Sequence, residues 1–551
     1  MASANRLGDE PADVFAINEK YQTKEFGEFV RQTIGGQTEN SAPFPHLQLK
    51  DFLVDGGGEL AGGLRAELKA AKWSKNENDL NAIWQTRDIG AFDVEKFPQL
   101  RAFREFLRTK GREFLQKITG FKLNDQLALT GSRYDQTDYL SPHDDSLDGR
   151  KIAFVLYLTL DWKPEYGGEL ALYSADGETN RPTEIAKKLQ PTAGSLVIFP
   201  VQTNTWHSVL EVTSPDHSRL SLNGWFHADD AKSAAPPKPE PPIQRIRPAL
   251  NITLNDVEEW INGTYLIPHE QKQIKRQFAA KSELFLESFL NADRYQQALA
   301  ELKAARFEQV GPPDRRHFFK LDESSLKADS PLSTLLKFFR SDALTLLLTQ
   351  WTGIKLFDLN AASSSPPTKR AKVDEGGDQQ AGPSTSAQKS SKNREIELVS
   401  FVHRYEHGCY TMADEQMAAD GQTNGYCLDV LLFFGDFDEW PEEAGGFVSF
   451  IAIDDPNEIM RVPPRTNCLA IVFREPEILN FIKYLNCKAA GRSYYLIGCS
   501  FFGASNEESD EEEDSLDDDS NVSTNDDESE EAADEFEEED EEEVHEEETD
   551  E

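Results

Sequence analysis

The sequence predicts an α+β protein with two double-stranded β-helix (jelly-roll) domains, flanking helices, a disordered linker and an acidic tail. Three observations predict it. Short apolar runs, KIAFVLYLTL, GELALYS, GSLVIFP and SRLSLNGWF, follow one another from about residue 125. Each is bounded by Gly, Pro, Asp or Asn, as the strands of an antiparallel sandwich or barrel are. Apolar residues at helical spacing precede them, at 17–36, 59–75 and most strongly 97–118. The pattern then recurs. SRYDQTDYLSPHDD (132–145) is similar to HRYEHGCYTMADEQ (403–416), and LVIFP (196–200) to AIVFR (470–474). Between those pairs, KIAFVLYLTLDWKPEYGGELALYS is similar to LDVLLFFGDFDEWPEEAGGFVSFI.

These boundaries give a first domain over 1–235, a Pro-rich connector over 236–244 and a second domain over 245–503. An insert at 361–394, rich in Ser, Pro, Gln and Gly, cannot bury enough surface to order, and neither can the tail from 504 to 551. A chain of 551 residues is long enough for two to four domains, and 38% hydrophobic residues with 34 Phe and 8 Trp can fill real cores. The net charge of −42 is unevenly placed: residues 507–551 hold 29 Asp and Glu and no Lys or Arg, which leaves −13 for the other 506 residues. A mildly acidic body argues against binding the phosphate backbone of nucleic acid and favours a basic protein partner. The five cysteines, Cys409, Cys427, Cys468, Cys487 and Cys499, have no CxxC spacing and read as reduced thiols of an intracellular protein. The N-terminus has no apolar run of a signal peptide, and no stretch approaches the ~20 apolar residues of a membrane span.

The chemistry concentrates in YLSPHDDSLDG (139–149). Residues i and i+2 of a strand share a face, so His143 and Asp145 are expected to project together and Asp144 away. An imidazole and a carboxylate with one more imidazole make the two-His-one-carboxylate triad of non-haem iron, with three positions left open. His207, directly after the strand GSLVIFP, is the expected third ligand, and Arg219 begins the next strand. His46, His217 and His227 have no such partners and read as structural. In KIAFVLYLTL, Ala153, Val155, Tyr157 and Thr159 form the face expected to line the lumen. Ile152, Phe154, Leu156, Leu158 and Leu160 form the core face.

HxD, a distant His and an Arg shortly after resemble the Fe(II)- and 2-oxoglutarate-dependent dioxygenases, in which the arginine fork clamps the cosubstrate's distal carboxylate. The longer matches, RYDQTDYLSPHDDSLDGRKIAFVLYL, YGGELALYS and WHSVLEV followed by SRLSLNGWFHA, resemble one group within that superfamily. This group is the eukaryotic ribosomal prolyl 3-hydroxylases, the 2-oxoglutarate and iron-dependent oxygenase domain-containing protein 1 family. The resemblance spans some 450 residues. It implies a catalytic first domain, a non-catalytic second one, and a proline of a small-subunit ribosomal protein of the decoding centre as substrate. It implies Fe(II) on His143, Asp145 and His207, and 2-oxoglutarate on Arg219 and Tyr157 with Tyr134 assisting. Asn223 and Trp225 are further lining positions. O2 is the oxidant, ascorbate the expected reductant, and succinate and CO2 the coproducts. The rival reading is a regulatory interaction protein that senses oxygen or 2-oxoglutarate and acts through its second domain.

In the second copy the repeat sets Asp414 against His143, Gln416 against Asp145 and Phe481 against His207, with Arg492 near Arg219's place but out of register. That set is not expected to hold iron. PPTKRAKVD (366–374) exposes Lys369, Arg370 and Lys372 and looks like a nuclear import signal, so nucleus and cytoplasm are the expected compartments, without membrane or direct nucleic-acid contact.

Overall fold

Thr23 starts the first helix by accepting a hydrogen bond from the Phe26 amide, and the helix places Val30 and Thr33 in the core. The computed structural model describes residues 14–54, 58–233, 243–249, 252–356, 396–413, 426–453 and 455–502, all within one compact unit, residues 1–506. The insert 361–394, the basic run 366–374, Asp414, Gln416 and the tail 504–551 lie outside the described residues, as does most of the connector.

The first copy opens with four helices: α1 Lys24–Ile34, α2 Glu59–Lys69, α3 Pro98–Phe106 and α4 Arg112–Thr119. The expected helices are longer than these. Residues 17–23 hold only a short 3-10 turn, Glu19–Tyr21. Residues 74–77 leave the helical pattern to pair as an edge strand with 82–85, so a tertiary partner overrides local spacing. The stretch 97–118 is interrupted by a π-helical turn at Leu107–Gly111 and then stopped by Gly120, whose φ of 79° a residue with a Cβ rarely adopts.

Eleven strands follow or intervene: β1 Leu47–Leu49, β2 Ser74–Glu77, β3 Asn81–Gln85, β4 Leu127–Tyr134, β5 Tyr139–His143 and β6 Arg150–Tyr157, then β7 Leu170–Ala175, β8 Pro182–Leu189, β9 Leu196–Pro200, β10 His207–Val209 and β11 Arg219–His227. They form one antiparallel sheet in the order β1-β9-β6-β11-β4-β3-β5-β10-β7-β8, with β2 on β3. This large sheet, nearly closed on itself, fits a double-stranded β-helix. The alternation of β6 sorts its two faces. Ile152, Phe154, Leu156 and Leu158 pack on the helices with Leu64, Phe103 and Leu115. Ala153 and Tyr157 face an inner cluster with Tyr134, Leu172, Val197 and Phe199. Burying each large side chain of the outer face contributes about 1.5–3 kcal/mol. Leu160 corrects the expectation: the strand ends at Tyr157, and Leu160 is 52% exposed.

The second copy has α5 Leu254–Trp260, α6 Pro268–Lys281, α7 Ala292–Ala304, α8 Pro331–Phe339 and α9 Asp342–Thr352. Its strands are β12 Glu283–Leu286, β13 Phe307–Val310, β14 Arg316–Leu321, β15 Glu397–Tyr405, β16 Tyr410–Thr411 and β17 Cys427–Gly435, then β18 Val448–Ala452, β19 Asp455–Val462, β20 Leu469–Arg474, β21 Ile478–Ile482 and β22 Tyr494–Phe502. Two antiparallel sheets result, β12-β20-β17-β22-β15-β14-β13 with β16 on β14, and β19-β18-β21. The chain repeats its local devices. Trp162 Nε1 donates to the Gly167 carbonyl at 2.8 Å, and Trp440 Nε1 to the Gly445 carbonyl at 2.7 Å. Both glycines have positive φ, as do Gly168 and Gly446 after them. A Cβ on Gly167 would sit 2.1 Å from the Glu211 carbonyl oxygen, and one on Gly445 2.1 Å from that of Tyr484. All five cysteines are free, and among the described residues no helix is long and apolar enough to cross a membrane.

Candidate metal centre

Strands β5 and β10 are antiparallel neighbours, and their register makes His143 and His207 direct cross-strand partners. The imidazole centroids are 4.2 Å apart. Asp145 joins them by a different route from the one expected. Strand β5 ends at His143, and Asp145 lies beyond it in the left-handed region at φ 59°, so alternation along a strand does not place it. Its Oδ1 is 3.7 Å from His143 Nε2 and its Oδ2 3.4 Å from His207 Nε2. One donor atom from each residue lies within 4.8 Å of the others, which makes these three the one such cluster among the described residues.

The backbone sets the imidazole tautomers. His143 Nδ1 donates to the Ser141 carbonyl and His207 Nδ1 to the Thr205 carbonyl, each at 2.8 Å. A carbonyl only accepts, so each Nδ1 carries a proton and each Nε2 faces the cluster, the arrangement of a metal-binding histidine. Burial lowers the His143 pKa, helped by the charge of His207, to about 4. Burial works to raise that of Asp145, but the two imidazoles outweigh it and hold the carboxyl well below its usual range. Burial works to lower the His207 pKa, but Asp145 outweighs it and raises it; once that ring gives up its Nε2 proton, two imidazoles and a carboxylate could hold a divalent ion and leave other positions open.

Deeper in the same lumen, Arg219 is 1% exposed and pairs across strands with Tyr134. Its Nη2 donates to Tyr157 Oη at 3.5 Å, and its guanidinium carbon lies 4.9 and 5.0 Å from the rings of Tyr134 and Tyr157. No carboxylate pairs with it among the described residues, and its buried Nε has no partner. A buried cation lacking a counter-charge is costly unless an anion completes it, and a carboxylate fits that guanidinium fork. Asn223, in the same lumen, likewise carries an orphaned polar atom, its Oδ1. The chemistry of both donor sets therefore fits iron(II) with a dicarboxylic oxo acid.

Comparison with known proteins meets this geometry at the same residues. A 2OG-Fe(II) oxygenase superfamily model matches residues 129–227, the span that contains the three donors and Arg219. Prolyl 3-hydroxylase OGFOD1 of Xenopus laevis is 32% identical over 482 residues, covering 87% of this chain and 89% of its own. The protein belongs to the prolyl 3-hydroxylase OGFOD1 family. A mouse member of that family is 31% identical over 82% of this chain and 86% of its own. Prolyl 3-hydroxylase sudestada1 of Drosophila melanogaster is 26% identical over 90% and 92%. A second model, oxoglutarate and iron-dependent oxygenase degradation C-term, matches residues 253–512. As a member of this family the chain is a 2-oxoglutarate-dependent oxygenase that uses Fe(II) and O2.

Arg150 escapes the sequence reading, yet its guanidinium carbon stacks 3.5 Å from the Trp225 ring centroid and its Nη1 lies 3.5 Å from Asp145 Oδ1. No motif marks it. Asp144 turns to accept from the Ser146 amide, His46 Nδ1 donates to the Phe44 carbonyl, and His217 stacks on Tyr166. In the second copy, counting from the shared glycine pair, Leu172 corresponds to Phe450. The cross-strand partner of Leu172 is His207, and that of Phe450 is Asn480. Asn480 therefore stands in the place of His207, and Phe481 in that of Ser208. Likewise Arg219 pairs with Tyr134 while Tyr494 pairs with Tyr405, so Tyr494, not Arg492, occupies the arginine's place. Asn480 Nδ2 donates to Asp429 Oδ2, which also accepts from Arg474 Nε at 3.0 Å, while Ser500 Oγ donates to Asp429 Oδ1. A buried ion pair fills that end of the second lumen.

Proposed function

We propose that the chain is a prolyl 3-hydroxylase acting on a proline of a small-subunit ribosomal protein of the decoding centre, with His143, Asp145 and His207 holding Fe(II). Arg219 receives the distal carboxylate of 2-oxoglutarate, with Tyr157 and Tyr134 beside it. The observation that carries this reading is one lumen holding three metal donors of set tautomer and a buried arginine without a counter-charge. The names of the relatives support proline as the target. The acidic body supports a basic protein partner. Iron with 2-oxoglutarate and O2 supplies the oxidising power, yielding succinate, CO2 and one oxygen atom inserted into a C–H bond. The protein's share is geometry. The Ser141 and Thr205 carbonyls aim the imidazoles, Arg219 orients the cosubstrate along the lumen, and the apolar wall of Val197, Phe199 and Leu172 excludes water. In this reading residues 1–235 form the catalytic domain, 245–503 a non-catalytic one and 504–551 an acidic tail. Ascorbate serves as reductant, and nucleus and cytoplasm are the compartments.

The test is mass spectrometry of small-subunit ribosomal proteins treated with the native chain or with Asp145→Ala. One proline-containing peptide should gain one oxygen atom with the native chain alone, and bound iron should fall from about one per chain to none in the variant. Absence of an oxygen gain on every peptide overturns the substrate, and full iron in the variant overturns the ligand set.

A further inference from the structure

Behind the metal centre, between the two copies of the repeat, lies a cavity of about 360 Å³, within the ~300–1,000 Å³ range of ligand sites. The first copy supplies one wall from β5, β7 and β10, and the second supplies the other around β14, β16 and the end of β21. The copies are tied together beside it. Glu211 accepts from His407 Nε2 at 2.6 Å and from the Cys487 amide at 2.7 Å, and Arg181 pairs with Asp314.

The lining is unusual in its polarity. Four tyrosines, Tyr139, Tyr173, Tyr410 and Tyr484, converge on it, with Tyr139 and Tyr484 stacked at 4.2 Å. Tyr139 and Ser141 are each 4% exposed, and their hydroxyl oxygens have no hydrogen-bond partner among the described residues. Two buried hydroxyls left unsatisfied in one cavity cost stability unless a ligand completes them. Among the described residues that line it there is no lysine or arginine. Its one basic group is His317, whose Nδ1 donates to the Gly408 carbonyl and leaves Nε2 as an acceptor in the neutral ring. Glu184 stands exposed on the wall with no ion pair among the described residues, and Glu211 adds a second carboxylate, already engaged by His407. Aromatic faces, acceptor oxygens and the unpaired Glu184 carboxylate make a receptor for an ammonium group.

We propose that this cavity receives a lysine side chain of the protein substrate, its ammonium set among the tyrosines, the orphaned hydroxyls and Glu184. The proposal rests on the reading of the chain as a hydroxylase of a protein. It places an anchor directly behind the catalytic strands: Ser141 carries the carbonyl that holds His143, and Ser208 follows His207. A basic partner would engage the acidic body at this point while its proline reaches the iron from the lumen side.

The full-length chain can be titrated with tetralysine, with its fully Nε-acetylated form as the neutral control. Tetralysine should bind, the acetylated form should not, and Tyr139→Phe should weaken tetralysine about tenfold, the worth of one hydrogen bond to a charged group. Glu184→Gln should weaken it about threefold. Tyr139→Phe removes a hydroxyl that has no partner, so its Tm should stay level or rise; the loss of binding is then not a loss of fold. Equal affinity in the native chain and both variants would place tetralysine elsewhere, on the acidic tail included, and overturns the proposal. Equal affinity for the acetylated peptide also overturns it. With ribosomal protein as substrate, Tyr139→Phe should raise KM and leave 2-oxoglutarate turnover without substrate unchanged; an unchanged KM severs the link to the substrate. Should the native chain hydroxylate no ribosomal protein, the functional reading falls, and the tetralysine titration still judges the cavity.

Discussion

Asp145 adopts φ 59°, a conformation that costs a residue with a Cβ about 1–3 kcal/mol. Its surroundings over-determine it. His207, His143 and Arg150 all reach its carboxylate, and the Arg150 side-chain nitrogen Nη1 also donates to its carbonyl at 3.4 Å. The strain thus brings a carboxylate round to face two imidazoles that a regular strand would not let it meet in this way. Arg219 belongs to the same scale. Lysine there keeps the charge but loses the two-pronged fork and the flat contact with Tyr134 and Tyr157. Arg219→Lys should raise the KM for 2-oxoglutarate by about tenfold or more with iron content unchanged, read from 2-oxoglutarate consumption and metal analysis side by side. An unchanged KM would mean that another group clamps the cosubstrate.

At the scale of elements, the two copies show one framework carrying two interiors. Strands β6 and β17 run antiparallel to β11 and β22 in matching register, with Tyr157 opposite Ser221 and Phe433 opposite Leu496. Where the first lumen holds metal donors, the second holds Asp429 and Arg474, 2% and 5% exposed at their side chains. Removing one partner of such a pair leaves an uncompensated buried charge, at about 3–5 kcal/mol, whereas replacing both by apolar groups of similar volume is often neutral. Arg474→Met should lower the denaturant midpoint of the second copy markedly, and Asp429→Leu added to it should restore most of the loss. Neither should change bound iron. A double variant as unstable as the single one would show that packing, not charge, governs this lumen.

Across the whole molecule, polar contacts join the two copies: Glu211 with His407, Arg181 with Asp314, Lys483 with Glu77, and the Ala413 amide with Asp79. His407 makes this seam sensitive to pH. Its hydrogen bond with Glu211 raises its pKa above the ordinary 6.5, against the smaller effect of burial. A histidine raised on folding stabilises fully below its unfolded pKa, and that contribution disappears as pH rises through the folded value. The Tm difference between the native chain and His407→Gln should therefore be largest below pH 6.5 and shrink as pH rises beyond the raised value. A difference that grows with pH would contradict the pairing.

Local rules reach far in this sequence. Period-two alternation in β6 sorts Phe154 from Tyr157 without knowledge of any neighbour, because side-chain direction in a strand is a property of the backbone itself. Residue type and order likewise nominate His143, Asp145, His207 and Arg219, since few side chains can bind a metal or clamp a carboxylate. What depends on register or on distant partners was settled only by the tertiary structure. Asp145 turns in through its left-handed backbone rather than through alternation. Arg150 reaches Asp145 because β6 and β11 pair so that it meets Trp225. Asn480 and Tyr494, rather than Phe481 and Arg492, replace His207 and Arg219 because loops of unequal length shift the second copy against the first, by one residue at Asn480, which turns the neighbouring Phe481 to the opposite face, and by two at Tyr494. The tyrosine cavity joins residues more than 300 positions apart, a proximity that no local pattern in the chain encodes.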